Sequence, residues 1–168
     1  MVGTGTSLVV GVTVAILTAL IGVIVGVMAE YLGGRIDDVL MRLADVLLVI
    51  PGFLLLVILQ TFLPPTLETT TLILSILGWP FLARIIRSQT LSLKERQYVL
   101  ASKISRLSGM QIIVRDILPM LIPIITINAI FIAVGGVVAQ AGLAFFGLGD
   151  LRSVNWELTS ITSSIKTE

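Results

Sequence analysis

The side chains that could do chemistry are few in this chain, and their absences decide as much as their positions. Among 168 residues there is no cysteine and no histidine. That removes disulfides, iron–sulfur sites and thiolate zinc, along with the usual general base at neutral pH. No G-x-x-x-x-G-K-[ST] loop is present, so the chain has no nucleotide-phosphate cradle of that kind. Within or beside an apolar core, Asp45 is the one acid, and it lies near the start of its segment with Arg42 three residues before it. An i,i+3 pair at headgroup level neutralises itself more readily than it carries protons, so Asp45 is expected to pair with Arg42. An intramembrane enzyme would have no acid pair at depth to work with. What remains is the capacity to bind.

That capacity is concentrated in residues 91–119, LSLKERQYVLASKISRLSGMQIIVRDILP, the one long polar stretch in the chain. Leu93, Leu100, Ile104 and Leu107 fall in a narrow stripe at helical spacing, with Lys94, Glu95, Tyr98, Ser102 and Ser105 on the other side. Such a helix would rest the apolar stripe on the body of the protein and offer its polar face to a partner. Ser108-Gly109 is the expected stop, and Ile117-Leu118-Pro119 opens the next apolar segment. Between Arg84 and Asp116 stand seven basic residues against two acids, Glu95 and Asp116. That balance suits an acidic groove on a partner and equally suits topology control.

The elements that position this stretch are membrane helices. The chain is 56% hydrophobic and 12% charged, with a mean hydropathy of +1.08. A soluble domain needs about 25% charge to coat its surface, so the expected class is an all-α integral membrane bundle. Residues 7–29 carry no charge; at ~1.5 Å per residue they reach roughly 35 Å, enough for a hydrocarbon core of ~30 Å. Gly11, Ala15, Ala19, Gly22 and Gly26 give them a smooth face, expected to pack within the bundle. Further spans are expected at 39–63, kinked at Pro51-Gly52, at 69–90, where Arg84 and Arg87 mark an edge, and at 119–141. Trp79 reads as an interfacial anchor or a packing residue alike. Residues 142–149 suggest a break, and the polar tail 150–168 cannot span. The 168 residues thus read as a single transmembrane domain. Basic residues gather at 30–42 and 84–115, so the positive-inside rule puts both stretches in the cytosol and the N-terminus outside.

The polar stretch resembles the cytoplasmic coupling loop of ABC-importer permeases, closest to the dipeptide/oligopeptide/nickel branch. The matching pieces are Leu91 to Glu95, Gln97 to Lys103, and Arg115 with Ile117-Leu118-Pro119. Glu30 to Gly34, Met41 to Val46, Gly78-Trp79-Pro80, Ala83-Arg84 and Gly142 to Gly149 follow the same family in the same order. The resemblance covers roughly residues 7–157. It implies a permease core in which Leu93, Lys94, Glu95, Tyr98, Val99, Ala101, Ser102, Lys103, Arg106, Ser108 and Gly109 dock on an ATPase. The implied partners are a second permease subunit, two cytoplasmic ATPase subunits, an external substrate-binding protein and the plasma-membrane bilayer. No nucleic acid, cofactor, metal or catalytic residue is expected, and hydrolysis would lie on the ATPase.

The sequence departs from the pattern at Arg106, where the branch usually has glycine, and arginine would be strained there if φ is positive. Ser102 replaces an alanine and Leu100 an acid, while Asp116 stands at a usual histidine and Met120 at a usual asparagine. The family normally has one more span at each end, so a shortened subunit is expected. An ATP-independent small transporter or channel, or a non-functional fragment, is the competing reading. The transported substrate is not encoded in any recognisable pocket.

Overall fold

The computed structural model describes residues 2–64 and 66–146. Among these, all regular structure is helical. The order is α1 (Val2–Leu32), α2 (Gly34–Val49), α3 (Gly52–Phe62), α4 (Leu67–Lys94), α5 (Gln97–Ile104), α6 (Gly109–Ile112), a π-helical turn (Ile113–Ile117) and α7 (Leu118–Phe145). Three continuous helical stretches are long and apolar enough to cross a membrane: Ser7–Leu32, Leu67–Lys94 and Gly109–Phe145.

The fourth expected span is not a straight one. α2 and α3 meet at an 83° bend around Ile50-Pro51. Proline at 51 offers no N–H to continue the helix and holds Ile50 in an extended conformation, so the segment breaks rather than kinks. α1 turns into α2 through Gly33 and Gly34 at φ 61° and 56°, the left-handed conformation that glycine alone adopts without cost.

α4 is the central helix. Half of its most apolar window (50%) is buried, against 11% for that of α7. It starts on a reciprocal cap between Thr66 and Thr69 and runs unbroken through Pro80. Small residues set how close its neighbours come. A Cβ on Gly26 of α1 would stand 2.6 Å from the Ala83 carbonyl oxygen, and one on Gly22 2.9 Å from the Leu82 side chain. Gly11 lies as tightly against Ala133 of α7. The small-residue face of α1 is therefore a packing seam within the bundle, where dispersion rather than water expulsion holds helices together. Trp79 is a packing residue, buried with Ala44 and Ala83. At the opposite end from the polar stretch, Gln60 of α3 donates to the Thr70 hydroxyl of α4 at 2.5 Å.

α7 runs through Gly135-Gly136 and on through Gly142 to Phe145, four residues past the expected end of the span at 141, so Gly142 does not break it. Gly147, Gly149 and the polar tail 150–168 lie outside the described residues.

Candidate partner-docking site

The polar stretch grows out of α4, and charge fixes its root. Past Ala83, α4 carries Arg84, Arg87 and Lys94, each paired with an acid on another helix. Arg84 pairs with Asp45 of α2. The expected partner Arg42 is displaced because α4 lies along α2 here and brings a guanidinium across to the carboxylate. Arg87 grips Asp37 of α2 through two bonds, Nε to Oδ1 at 2.5 Å and Nη2 to Oδ2. Its Nε also lies 3.9 Å from Glu30 of α1.

Glu30 is the hub. Only 7% exposed, it receives Lys94 Nζ at 3.0 Å on its carboxylate, while the same ammonium donates to the Glu30 carbonyl at 2.8 Å. A buried carboxylate needs such compensation, since its desolvation costs several kcal/mol. The result is a three-helix tie. The last two turns of α4, from Arg87 to Lys94, are bound to the start of α2 and the end of α1.

α4 stops at Lys94, and Glu95-Arg96 turn the chain into α5. This break re-phases the helix, so the expected stripe does not form as one face. Leu93 and Leu107 pack on the core, but Val99 is the fully buried residue of α5, whereas Leu100 is exposed and Ile104 is 83% exposed. Arg106 then has φ 59°, the one positive φ at a non-glycine among the described residues. The strain expected of arginine at this position is present. Ser108 caps α6, receiving the Gln111 N–H while Gln111 Oε1 accepts from Ser108 N–H at 2.8 Å. Gly109 lies directly against the Tyr31 ring, leaving no room for a Cβ unless that ring moves.

The eleven expected docking residues thus divide by position. Val99 is in the core, Leu93 packs on it, and Lys94 is engaged by Glu30. Glu95, Tyr98, Ala101, Lys103, Arg106 and Ser108 are exposed, and Ser102 and Gly109 are half-buried. The first group anchors the loop, and the second is free to touch a partner. An open cavity of about 460 Å³ beside the root, lined by Asp37, Asp38, Arg42, Asp45, Arg84 and Arg87, is filled with charge of both signs. Among the described residues, no group of three acids, cysteines or histidines is placed to hold a metal.

Residues 6–157 match the family described as binding-protein-dependent transport system inner membrane component. The chain belongs to this family. Curated relatives of this transport-component family include the dipeptide transport system permease protein DppC of Bacillus subtilis (strain 168), 39% identical over 147 residues. That alignment takes in 88% of the chain and 46% of the relative. The oligopeptide transport system permease protein OppC of the same organism is 36% identical, over 88% of the chain and 48% of the relative. OppC of Mycobacterium tuberculosis (strain ATCC 25618 / H37Rv) is 34% identical, over 85% and 50%. The chain spans about half the length of these relatives. As a member of this inner-membrane family with several membrane-crossing helices, it is a multi-pass membrane protein.

Sequence reasoning overlooked Glu30 and Asp37 because it read Arg84 and Arg87 as markers of an edge. The available signal was their number: three cations on one helix, opposite four acids in 30–45, favour pairing across helices once these pack.

Proposed function

We propose that the chain acts as a permease subunit of an ATP-driven importer, probing a partner ATPase through residues 95–109 and passing that partner's motion to its spans. The observation that carries this reading is the rooted loop. Its exposed face is free, while Lys94, Glu30 and Arg87 bind its base to three helices at once. A push on α5 therefore moves the ends of α1, α2 and α4 as one body, the kind of rigid-body displacement alternating access needs. Hydrolysis belongs to the partner, because this chain has no phosphate-binding loop.

The names of the relatives support peptides as the substrate class, with nickel as the other class that the family resemblance suggests. The gathering of basic residues supports a cytosolic position for 30–42 and 84–115 and an external N-terminus. The further partners of this reading are a second permease subunit, a second ATPase copy and an external binding protein.

The test is purification of the tagged chain from its own membrane in mild detergent, with mass spectrometry and ATP hydrolysis measured on the eluate. The reading expects an ATPase and a second permease in stoichiometric amounts. An intact, membrane-inserted chain that elutes without an ATPase would contradict it.

A further inference from the structure

α3 is held to the bundle along one narrow stripe. Of its eleven residues only Leu56 and Gln60, about one helical turn apart, are buried. Leu56 packs with Ile73 of α4 and Leu143 of α7. Gln60, 2% exposed, donates through Nε2 to the Thr70 hydroxyl in the first turn of α4. Near the start of α3, Phe53 meets Phe146 with ring centroids 6.1 Å apart and lies over Gly142. α1 is held quite differently, because Gly22 and Gly26 let it interlock with α4 along the seam.

Both ends of α3 have the freedom of a hinge. Ile50 and Leu63 are extended, α2 meets α3 at 83°, and a Cβ on Gly52 would stand in open space. A few such residues at the ends of an element can absorb a large change of direction. The start of α4 does not depend on α3. Thr66 and Thr69 cap it reciprocally, and Thr69 also donates to the Pro64 carbonyl. Thr70 donates to the Thr66 carbonyl whether or not Gln60 is there.

Gln60 gives the seated position a cost. Its Oε1 is buried and accepts no hydrogen bond. A buried carbonyl without a donor has lost its hydration and gained nothing in return. The Oε1 of Gln140, one turn before Leu143 on α7, is buried without a partner as well. Apolar contacts of Leu56 and Phe53 hold α3 down, and the unpaired Gln60 carbonyl works against them. Lifting α3 breaks one bond at Nε2 and wets both ends of the amide.

We propose that α3 is a hinged strap across the end of the bundle remote from the polar stretch, latched by the Gln60–Thr70 bond and opening about Pro51-Gly52 and Leu63-Pro64. Opening uncovers Leu56, Ile73 and the Thr70 hydroxyl while α1, α4 and α7 stay packed. The strap is a property of this chain alone and does not rest on the docking reading.

The test is the distance between two spin labels on the full chain in nanodiscs of phosphatidylethanolamine and phosphatidylglycerol, measured by pulsed electron paramagnetic resonance. The chain has no cysteine, so L54C on the strap and F131C on α7 take the only labels. Both positions are exposed. At ~1.5 Å per residue, Phe131 lies roughly 22 Å along α7 from Phe146, within range of the method. An M28C/F131C pair, on α1 and α7, checks that each variant keeps its bundle. Otherwise unaltered chains should show two distances, the longer one the open strap. T70V leaves Gln60 with no partner at either end, and the open fraction should rise about fivefold, as the loss of one net hydrogen bond implies. Q60L/T70V removes the donor, the acceptor and the unpaired carbonyl together, and the open fraction should fall below that of the chain with both residues in place. A single distance, the same with and without T70V, would overturn the strap. Opening raised by Q60L/T70V as much as by T70V would overturn the latch, since the amide would then be only a stabilising contact. Neither result would bear on whether the chain binds an ATPase.

Discussion

Lys94, the last residue of α4, bonds to both the carboxylate and the backbone carbonyl of Glu30, two residues before the end of α1. One ammonium thereby joins the point where the polar loop begins to the point where the first membrane helix ends. Arg87 extends the tie to α2 through Asp37. Most of the behaviour expected of the loop follows from this junction.

Replacing Glu30 by glutamine keeps the shape but removes the charge that two half-buried cations share. The stability loss should be about 1–3 kcal/mol, since Lys94 and Arg87 would be left under-compensated. Thermal unfolding in detergent measures it. In a double-mutant cycle with Lys94→Met, part of the loss should return, because the unpaired cation is gone.

Arg87→Lys should also destabilise, by about 1 kcal/mol or more. A lysine cannot make the two-bond grip on Asp37 and has a shorter reach toward Glu30. The same unfolding assay reads this, and a wild-type melting temperature would contradict the assigned role.

Arg106→Gly should stabilise the chain. At φ 59° an arginine is strained by about 1–2 kcal/mol, whereas glycine returns only part of that as lost chain entropy. A net gain of about 0.5–1 kcal/mol is expected, and Arg106→Val should lose a similar amount. Proteolysis between α5 and α6 should slow in the first variant and quicken in the second.

Gly26 and Gly33 should respond to alanine for different reasons. At Gly26 the new Cβ meets backbone of α4 at Ala83, so the helices must part, at about 1–3 kcal/mol. At Gly33 space is open and the cost is conformational, about 1 kcal/mol, from its φ of 61°. Comparison of the two melting shifts, with Gly52→Ala as a control in open space, checks the distinction.

The helical class and three of the apolar segments were legible because a run of some twenty uncharged residues has few other fates. The glycine spacing in α1 was legible as a packing face, but its partners Leu82, Ala83 and Ala133 were not, since pairing is decided by tertiary arrangement. Pro51 announced an interruption without its size; the 83° bend depends on how α3 packs against α4 through Leu56 and Gln60. In the polar stretch, the strain at Arg106 was legible because backbone strain is a local property. The stripe was misread for a definite reason. Reading Leu93 to Leu107 as one helix assumes unbroken phase, and the turn at Glu95-Arg96 rotates everything after it, sending Val99 inward and Ile104 outward. The pairing of Asp45 with Arg84 rather than with Arg42 was hidden likewise, because a cross-helix contact competes with a local one only after folding.

In the proposed function the exposed face of the loop meets an ATPase while its buried side holds the spans. The most direct measurement is cross-linking from a single cysteine, K103C, in inverted membrane vesicles, with I127C on the exposed side of α7 as the comparison. An ATPase adduct is expected from position 103, altered in yield by ATP and vanadate, and none from position 127. No ATPase adduct from 103, in vesicles where the label reacts and the complex is intact, would contradict it.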